Sequence, residues 1–507
     1  MKLITGFLFS LTLILFQFIQ VSLAQDARII YSGDSTLRGK GQVVNNKKEG
    51  EWTFYNKKNQ TTEIGSYINN LREGVWKVYD KDQNLYIEAN YNHGIISGNY
   101  TIYFPDGNVQ MTGGLEDTLK SGEWKIYNDS EVLLSEGSYD HGLKTGVWKT
   151  YNDSGIRILQ AEYTNDTLNG PYREFDQFGA PSDYGNYDHG LKTGDWKTLD
   201  PYGMVISGEN YNQGVPDGPA NEFYSDGTKK AEKSYTKGKP SGTWTNYYEN
   251  GNVKNKIIFE DGLPEGDYTE YFPDETISVK GNYVIGKKTG LWENYYGSGK
   301  LFGAGPYLDD RKNGNWKYFN ESGYMISEGN FRDGLEEGQW VFYYPGDKIQ
   351  SIGAYEDGKQ TGLWGLFHTD GTLMQEETWN YGRLRKLSKV YFPGDTLACG
   401  DFHDGEGVRI NYREDKTVKE KVNYKNGLPN GIWDYYENGA LSFEGNMKDG
   451  AKDGEWTYYF PNGQIESKGI YKDDQQSGNW TYFNKNGKVV KEINYDEVDN
   501  SDTDNGQ

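Results

Sequence analysis

From Gly50 onward the chain repeats one pattern of small, large apolar and polar positions every 24 residues. Glycine stands at fourteen consecutive steps of that length, from Gly50 and Gly74 to Gly338 and Gly362. Two residues after each glycine stands Trp52, Trp76, Trp124, Trp148, Trp196, Trp244, Trp292, Trp316, Trp340 or Trp364, with Tyr100, Tyr172, Tyr268 and Ala220 in the remaining places. The register falters near Lys386 and Ser388. It resumes at Gly431, Gly454 and Gly478, followed by Trp433, Trp456 and Trp480. Two more rows run in step. The row of Tyr55 is aromatic up to Tyr391 except at Leu199, and the row of Tyr67 is aromatic up to Trp379 except at Leu115. Self-similarity at this spacing marks a repeat architecture.

One unit reads as a β-hairpin. Gly50 to Asn56 forms a strand, residues 57–60 a turn, and Thr61 to Tyr67 the returning strand. Pro105-Asp106-Gly107-Asn108 and Glu249-Asn250-Gly251-Asn252 carry the turn chemistry most plainly. This loop sets Asn56 opposite Thr61, Phe54 opposite Glu63, Trp52 opposite Gly65 and Tyr67 opposite Gly50. A large ring then covers a strand glycine that would otherwise weaken pairing. The position of Ile64 is mostly polar, as expected for a second face turned to water. Tyr55 lies three residues after Trp52. Either both faces carry an aromatic row or a bulge turns Tyr55 inward. The link between units, as in Asp140-His141-Gly142-Leu143, carries its own turn.

Composition narrows the class further. Gly is 66 of 507 residues and aromatics reach 15%, whereas apolar residues other than Gly and Pro total 35%. Disorder goes with few aromatics, and a glycine costs about 1 kcal/mol inside a helix. A β-protein with many turns remains. The formal charge is −22, which disfavours nucleic acid and strong binding to anionic lipid. Residues 1–24 read as a signal peptide: Lys2, the apolar run Leu3 to Ile19, and small residues before a cut after Ala24. The same run approaches spanning length, so a retained membrane anchor is the alternative. Export places the protein in the periplasm, at the cell surface or outside the cell. Cys399 is the only cysteine, so no intramolecular disulfide forms. The tail 496–507 is acidic and reads as disordered.

Candidate chemistry is sparse. His93, His141 and His189 share one link position in alternate units. Two hairpins span about 19 Å, too far for ligands that must each lie about 2.1 Å from one ion. They read as solvated loop residues, and His368 and His403 are isolated. Asp-rich turns lack the late acidic ligand of a calcium loop. Cys399 falls at a strand position usually filled by small residues and reads as a small buried side chain. No cofactor, metal or catalytic set is expected, and the ligand-binding residues are unknown. The irregular unit 386–407 reads as a decayed repeat or, more sharply, as a hinge or docking point.

Gly-x-Trp-x-x-Tyr, a turn glycine, then Tyr-x-Asn/Asp-Gly-x-x-x-Gly at a 24-residue period resembles the MORN repeat, in the variant form of bacterial antitoxin-component-like proteins. The resemblance implies an elongated series of β-hairpins used for binding. The expectation is an all-β array of about 20 antiparallel hairpins over residues 25–495, forming an open twisted ribbon or solenoid. It is expected to be exported, not an enzyme, and an extended protein-binding or scaffolding surface. The alternatives are a glycan or cell-envelope binder, because Tyr and Trp rows can stack on sugar rings, and an antitoxin-like component. At about 4.8 Å per strand the array is at most about 190 Å long. A compact fold of this length would have a radius of gyration near 23 Å. Small-angle scattering of residues 25–507 should give at least about one and a half times that, and a compact value would contradict the open array.

Overall fold

Two different tight turns alternate along the chain. After the first strand of a repeat, Asn56 Oδ1 accepts from the backbone N–H of Lys58 at 2.9 Å and of Gln60 at 3.1 Å, and Asn59 takes a φ of +60°. Asn and Asp recur here because their side chains build the turn. After the second strand comes a two-residue turn with both residues left-handed, as at His141 and Gly142 with φ of +48° and +85°. This type I′ geometry matches the twist of the flanking strands. In the computed structural model, which describes residues 28–31 and 37–497, these turns join antiparallel strands, with no helix among the described residues. The expected signal segment 1–24 and most of the expected tail 496–507 lie outside the described residues.

The chain divides after Gly242 into two units. In the first, strands from Arg28–Tyr31 to Lys239–Pro240 each pair with their chain neighbours. In the second, the same meander runs from Val253–Glu260 to Arg383–Leu387. A small hairpin of Val390–Phe392 and Asp395–Leu397 follows, then eight strands from Gly407–Tyr412 to Val489–Asn494. Neither unit closes a sheet into a barrel. Consecutive repeats are also tied at the turns. Gly94 N donates to Arg72 O and Gly142 N to Lys120 O, both at 2.8 Å.

The hairpin register agrees with expectation at three pairs: Gly50 with Tyr67, Trp52 with Gly65, and Phe54 with Glu63. It departs at the loop. Tyr55, not Asn56, pairs with Thr61, because a bulge gives the returning strand one extra residue. That bulge does not bring Tyr55 to the tryptophan face. Neighbouring strand residues point to opposite faces, so Lys149 and Tyr151 lie together on the side away from Trp148. Both reach Glu136, at 3.0 and 2.9 Å.

The ring that covers each strand glycine comes from the next repeat, not from across the hairpin. Gly137 pairs with Trp124, but a Cβ on Gly137 would lie 2.2 Å from Trp148 Cδ2. The cause is a second irregularity at the following glycine. Gly146 has a φ of +64°, and the register shifts there. The shift swings Trp148 over Gly137, and its Nε1 donates to the Ser138 carbonyl at 3.0 Å. Eleven of the thirteen in-register tryptophans have glycine eleven residues earlier, and all eleven are buried. The two others follow Lys233 and Val422 at that spacing. These two, Trp244 and Trp433, are only half-buried. A side chain in place of glycine holds the ring off the backbone. Where the ring is Tyr100 or Tyr172, the preceding small residue is Ala89 or Ala161.

The irregular stretch is a junction within the second unit. The pattern resumes at Gly407, one period before Gly431, with Arg409 where tryptophan belongs and Tyr412 in its usual place. Glu377 stands at the glycine position, and its buried carboxylate pairs with the Arg409 guanidinium. An aromatic-on-glycine contact has become an ion pair, which hides the repeat from a search for Gly-x-Trp. Leu384, Val390 and Phe392 are buried around it, and Leu384 N donates to Gly427 O at 3.0 Å. His368, expected to be isolated, is buried here. Its Nδ1 lies 2.7 Å from Glu414 Oε2 and its Nε2 2.6 Å from the Tyr391 carbonyl. Cys399 is half-buried and unpaired.

Gly137→Ala should destabilise by about 1–3 kcal/mol through overpacking. Adding Trp148→Tyr, which recreates the Ala–Tyr pair of other repeats, should recover part of that loss. Hydrogen exchange should place both effects in strands Leu133–Asp140 and Leu143–Tyr151 and their neighbours. Equal loss in the double variant would contradict the ring-on-glycine account.

Candidate functional site

The tryptophan face is the most chemically distinctive surface of the chain. Rings of successive strands meet edge-on in a continuous zigzag. Tyr67 lies 6.2 Å from Trp52 and 5.0 Å from Trp76, both at interplanar angles of 84°. In the second unit the zigzag runs from Tyr283 through Trp292, Tyr307, Trp316, Phe331 and Trp340 to Tyr355 and Trp364. Edge-to-face pairs of this kind contribute about 0.5–1.5 kcal/mol beyond their burial. The tryptophans Trp52, Trp76, Trp124, Trp148 and Trp196 of the first unit are 0–6% exposed, as are Trp292, Trp316, Trp340, Trp364, Trp456 and Trp480 of the second. They form a one-layer core, with one indole face packed on glycine.

Sequence reading missed the row of cations that closes this face. Four residues before the tryptophan stand Lys48, Arg72, Lys120, Lys144 and Lys192 in the first unit, and Lys288, Lys312 and Lys452 in the second. Each places its charge 4.0–5.0 Å from the tryptophan ring centre. Most also cover the neighbouring Tyr or Phe, as Lys48 does Tyr67 at 4.8 Å. The signal was present. All eight cations precede a tryptophan, whereas Tyr100, Tyr172, Tyr268 and Ala220 follow Ile96, Leu168, Pro264 and Pro216 at the same spacing. A cation over an indole contributes about 0.5–2 kcal/mol, and its alkyl stem covers the ring edge. Burial holds Lys48, Lys120 and Lys312 below the ordinary lysine value.

The opposite face is polar and half-buried. Its tyrosine hydroxyls donate to carboxylates, Tyr343 to Glu328 at 2.7 Å and Tyr459 to Glu444 at 2.5 Å. Burial, then these carboxylates, pushes both phenols up to about 12. His93, His141 and His189 sit on exposed type I′ turns, each with Nδ1 2.6–2.7 Å from the preceding Asn or Asp. Among the described residues no cluster of three or more His, Cys, Asp or Glu could hold a metal. Two loop tips carry strongly exposed aromatic rings: Phe178 is 78% exposed and Tyr202 91%.

Tyr211, Tyr318, Tyr343 and Tyr459 rise from 10.0 to about 12, burial being the largest cause in each. A group raised in the folded state contributes stability that is complete below its unfolded value and is lost as pH climbs to its folded value. Lysines lowered from 10.5 act in the opposite direction, but only below that value. The denaturation midpoint should therefore fall steadily between pH 10.5 and 12. A flat midpoint there would show that these phenols are not protected.

The comparison with protein families agrees with the repeat. Residues 240–261, 288–309, 452–473 and 476–497 match the MORN repeat variant family. No curated protein matches the chain. Among solved structures, the chain is similar to one of the Photorhabdus luminescens Tc holotoxin pore with the TccC3-D651A mutation. The two are 10% identical over 92% of this chain and 30% of that one, with a TM-score of 0.14. It is also similar to a chain of the TcdB2-TccC3-Cdc42 crystal structure, at 12% identity over 90% of this chain and 27% of that one, with a TM-score of 0.14. The chain thus spans less than a third of the length of either. Two of the four segments that match the MORN repeat variant, 452–473 and 476–497, are consecutive hairpins.

Proposed function

We propose that this is an exported, non-enzymatic repeat protein that binds other proteins along a distributed surface. The observation that carries the reading is the burial of the tryptophan row. The eight rings packed on glycine and capped by lysine or arginine serve the array itself and are not free to stack on a ligand. Recognition then falls to the half-buried polar face and the loop edges, which vary from repeat to repeat while the scaffold stays the same. Repeat arrays present such surfaces because each unit contacts only its neighbours. The acidic charge favours basic partners. A glycan-binding reading keeps one supporting observation, the exposed Phe178 and Tyr202 on consecutive loop tips. An antitoxin-like role has only the family resemblance behind it.

Residues 25–507, immobilised, should capture protein from envelope extract and should not retain purified envelope glycan. Removing hairpins one at a time from the C-terminal end should weaken capture in steps, because the surface is distributed. Retention of glycan that is lost on replacing Phe178 and Tyr202 with Ser would overturn the protein-scaffold reading.

A further inference from the structure

The aromatic face shows eight times what fits over its rings: seven lysines and one arginine, each supplied by the chain itself. Three buried tryptophans lack that partner. Glu336 stands in the cation's place before Trp340, Gln360 before Trp364 and Gln476 before Trp480. Grooves open at the first two of these interruptions. One of about 560 Å³ is lined by Glu336, Trp340, Phe331, Tyr318, Lys312 and Asp310, among others. The second, of about 500 Å³, is lined by Gln360 and Trp364 with Phe342 and Tyr355.

The Glu336 groove is the more telling. Trp340 lies against Phe331 at 5.2 Å, Phe342 at 6.1 Å and Tyr355 at 6.0 Å. Trp316, one repeat earlier, has the same set in Tyr307, Tyr318 and Phe331, and there Lys312 fills the cage. The ring set is repeated and the cation is not. A carboxylate has replaced it, which gains nothing from the negative face of an indole. Glu336 is half-buried, and among the described residues it has no ion pair and no side-chain hydrogen bond. Lys312 and Arg311 also line the groove. Lys312 is already committed, with Nζ 2.7 Å from the Tyr318 hydroxyl, and Asp310 lines the same groove.

We propose that the groove at Glu336 binds a primary alkylammonium group supplied in trans. Glu336 is its counter-ion, and Phe331 and Trp340 are its aromatic walls. The chemistry is that of a lysine side chain, carried by a protein partner or mimicked by a free polyamine. The inference does not depend on the protein-scaffold reading, since a polyamine occupant would leave it standing.

The test uses the full mature chain and n-butylammonium, the lysine side chain without its backbone, followed by saturation-transfer NMR, with n-butanol as the neutral control. Saturable binding of the amine and not of the alcohol is expected. Glu336→Lys rebuilds the cage in cis as in the other eight repeats. It should abolish binding while the thermal midpoint holds or rises. Glu336→Gln should weaken binding on the order of tenfold, as loss of a charge-assisted contact predicts. Spermidine and a short acetylated lysine peptide, compared on the same site, separate the two sources. Tighter peptide binding assigns the site to a protein lysine, and tighter spermidine binding assigns it to a free polyamine. Equal n-butylammonium binding by the parent and Glu336→Lys chains, or no saturable binding by the parent, would overturn the proposal.

Discussion

A tryptophan lying flat on a glycine of the preceding strand is the contact on which everything else in each unit rests. An isolated sheet has two faces and no second layer to cover either. This chain builds the missing layer from its own side chains. The indole is the largest apolar group available, and glycine lets it descend to the backbone. The left-handed glycine two residues before each ring supplies the register shift that delivers the indole, and in every buried tryptophan but Trp292 a backbone carbonyl at the shift accepts its Nε1. Each of these requirements recurs once per repeat, which is why glycine and aromatic residues are both over-represented. The exceptions obey the same rule. Trp244 and Trp433 lack the glycine and remain partly exposed.

The lysine and arginine row follows from the same constraint. A one-layer core leaves the outer ring edges facing water, and a long side chain with an apolar stem and a charged head covers them without sealing the face. The cations belong to a packing arrangement as much as to an electrostatic one, and their partial desolvation lowers several of their pKa values. Where Glu336 and Gln360 interrupt the row, grooves appear. A protein whose core is also its surface can thus form a binding site through a single substitution. At Arg409 and Glu377 the substitution goes the other way. A buried ion pair replaces the aromatic contact, and the regular ladder gives way to a junction at which His368, Glu414 and Tyr391 meet.

Much of this was legible in the residues. The period, the hairpin, the Trp52–Gly65 register and the turn chemistry follow from the spacing of the aromatic, glycine and turn residues. The coincidence of glycine eleven before tryptophan was also readable, as was that of lysine four before it. Neither has meaning until the bulge at glycines such as Gly146 is known, because that bulge carries the ring onto the neighbouring repeat's glycine and under the lysine. The fold class, the one-sided use of tryptophan and the absence of a disulfide were therefore determined by the sequence alone. Tertiary structure decided the face taken by Tyr55, the source of the ring over each glycine, the burial of His368 and the identity of Arg409 as a tryptophan substitute. These depend on bulges and on contacts between residues 32 or 46 positions apart, and no local pattern of polar and apolar residues encodes them.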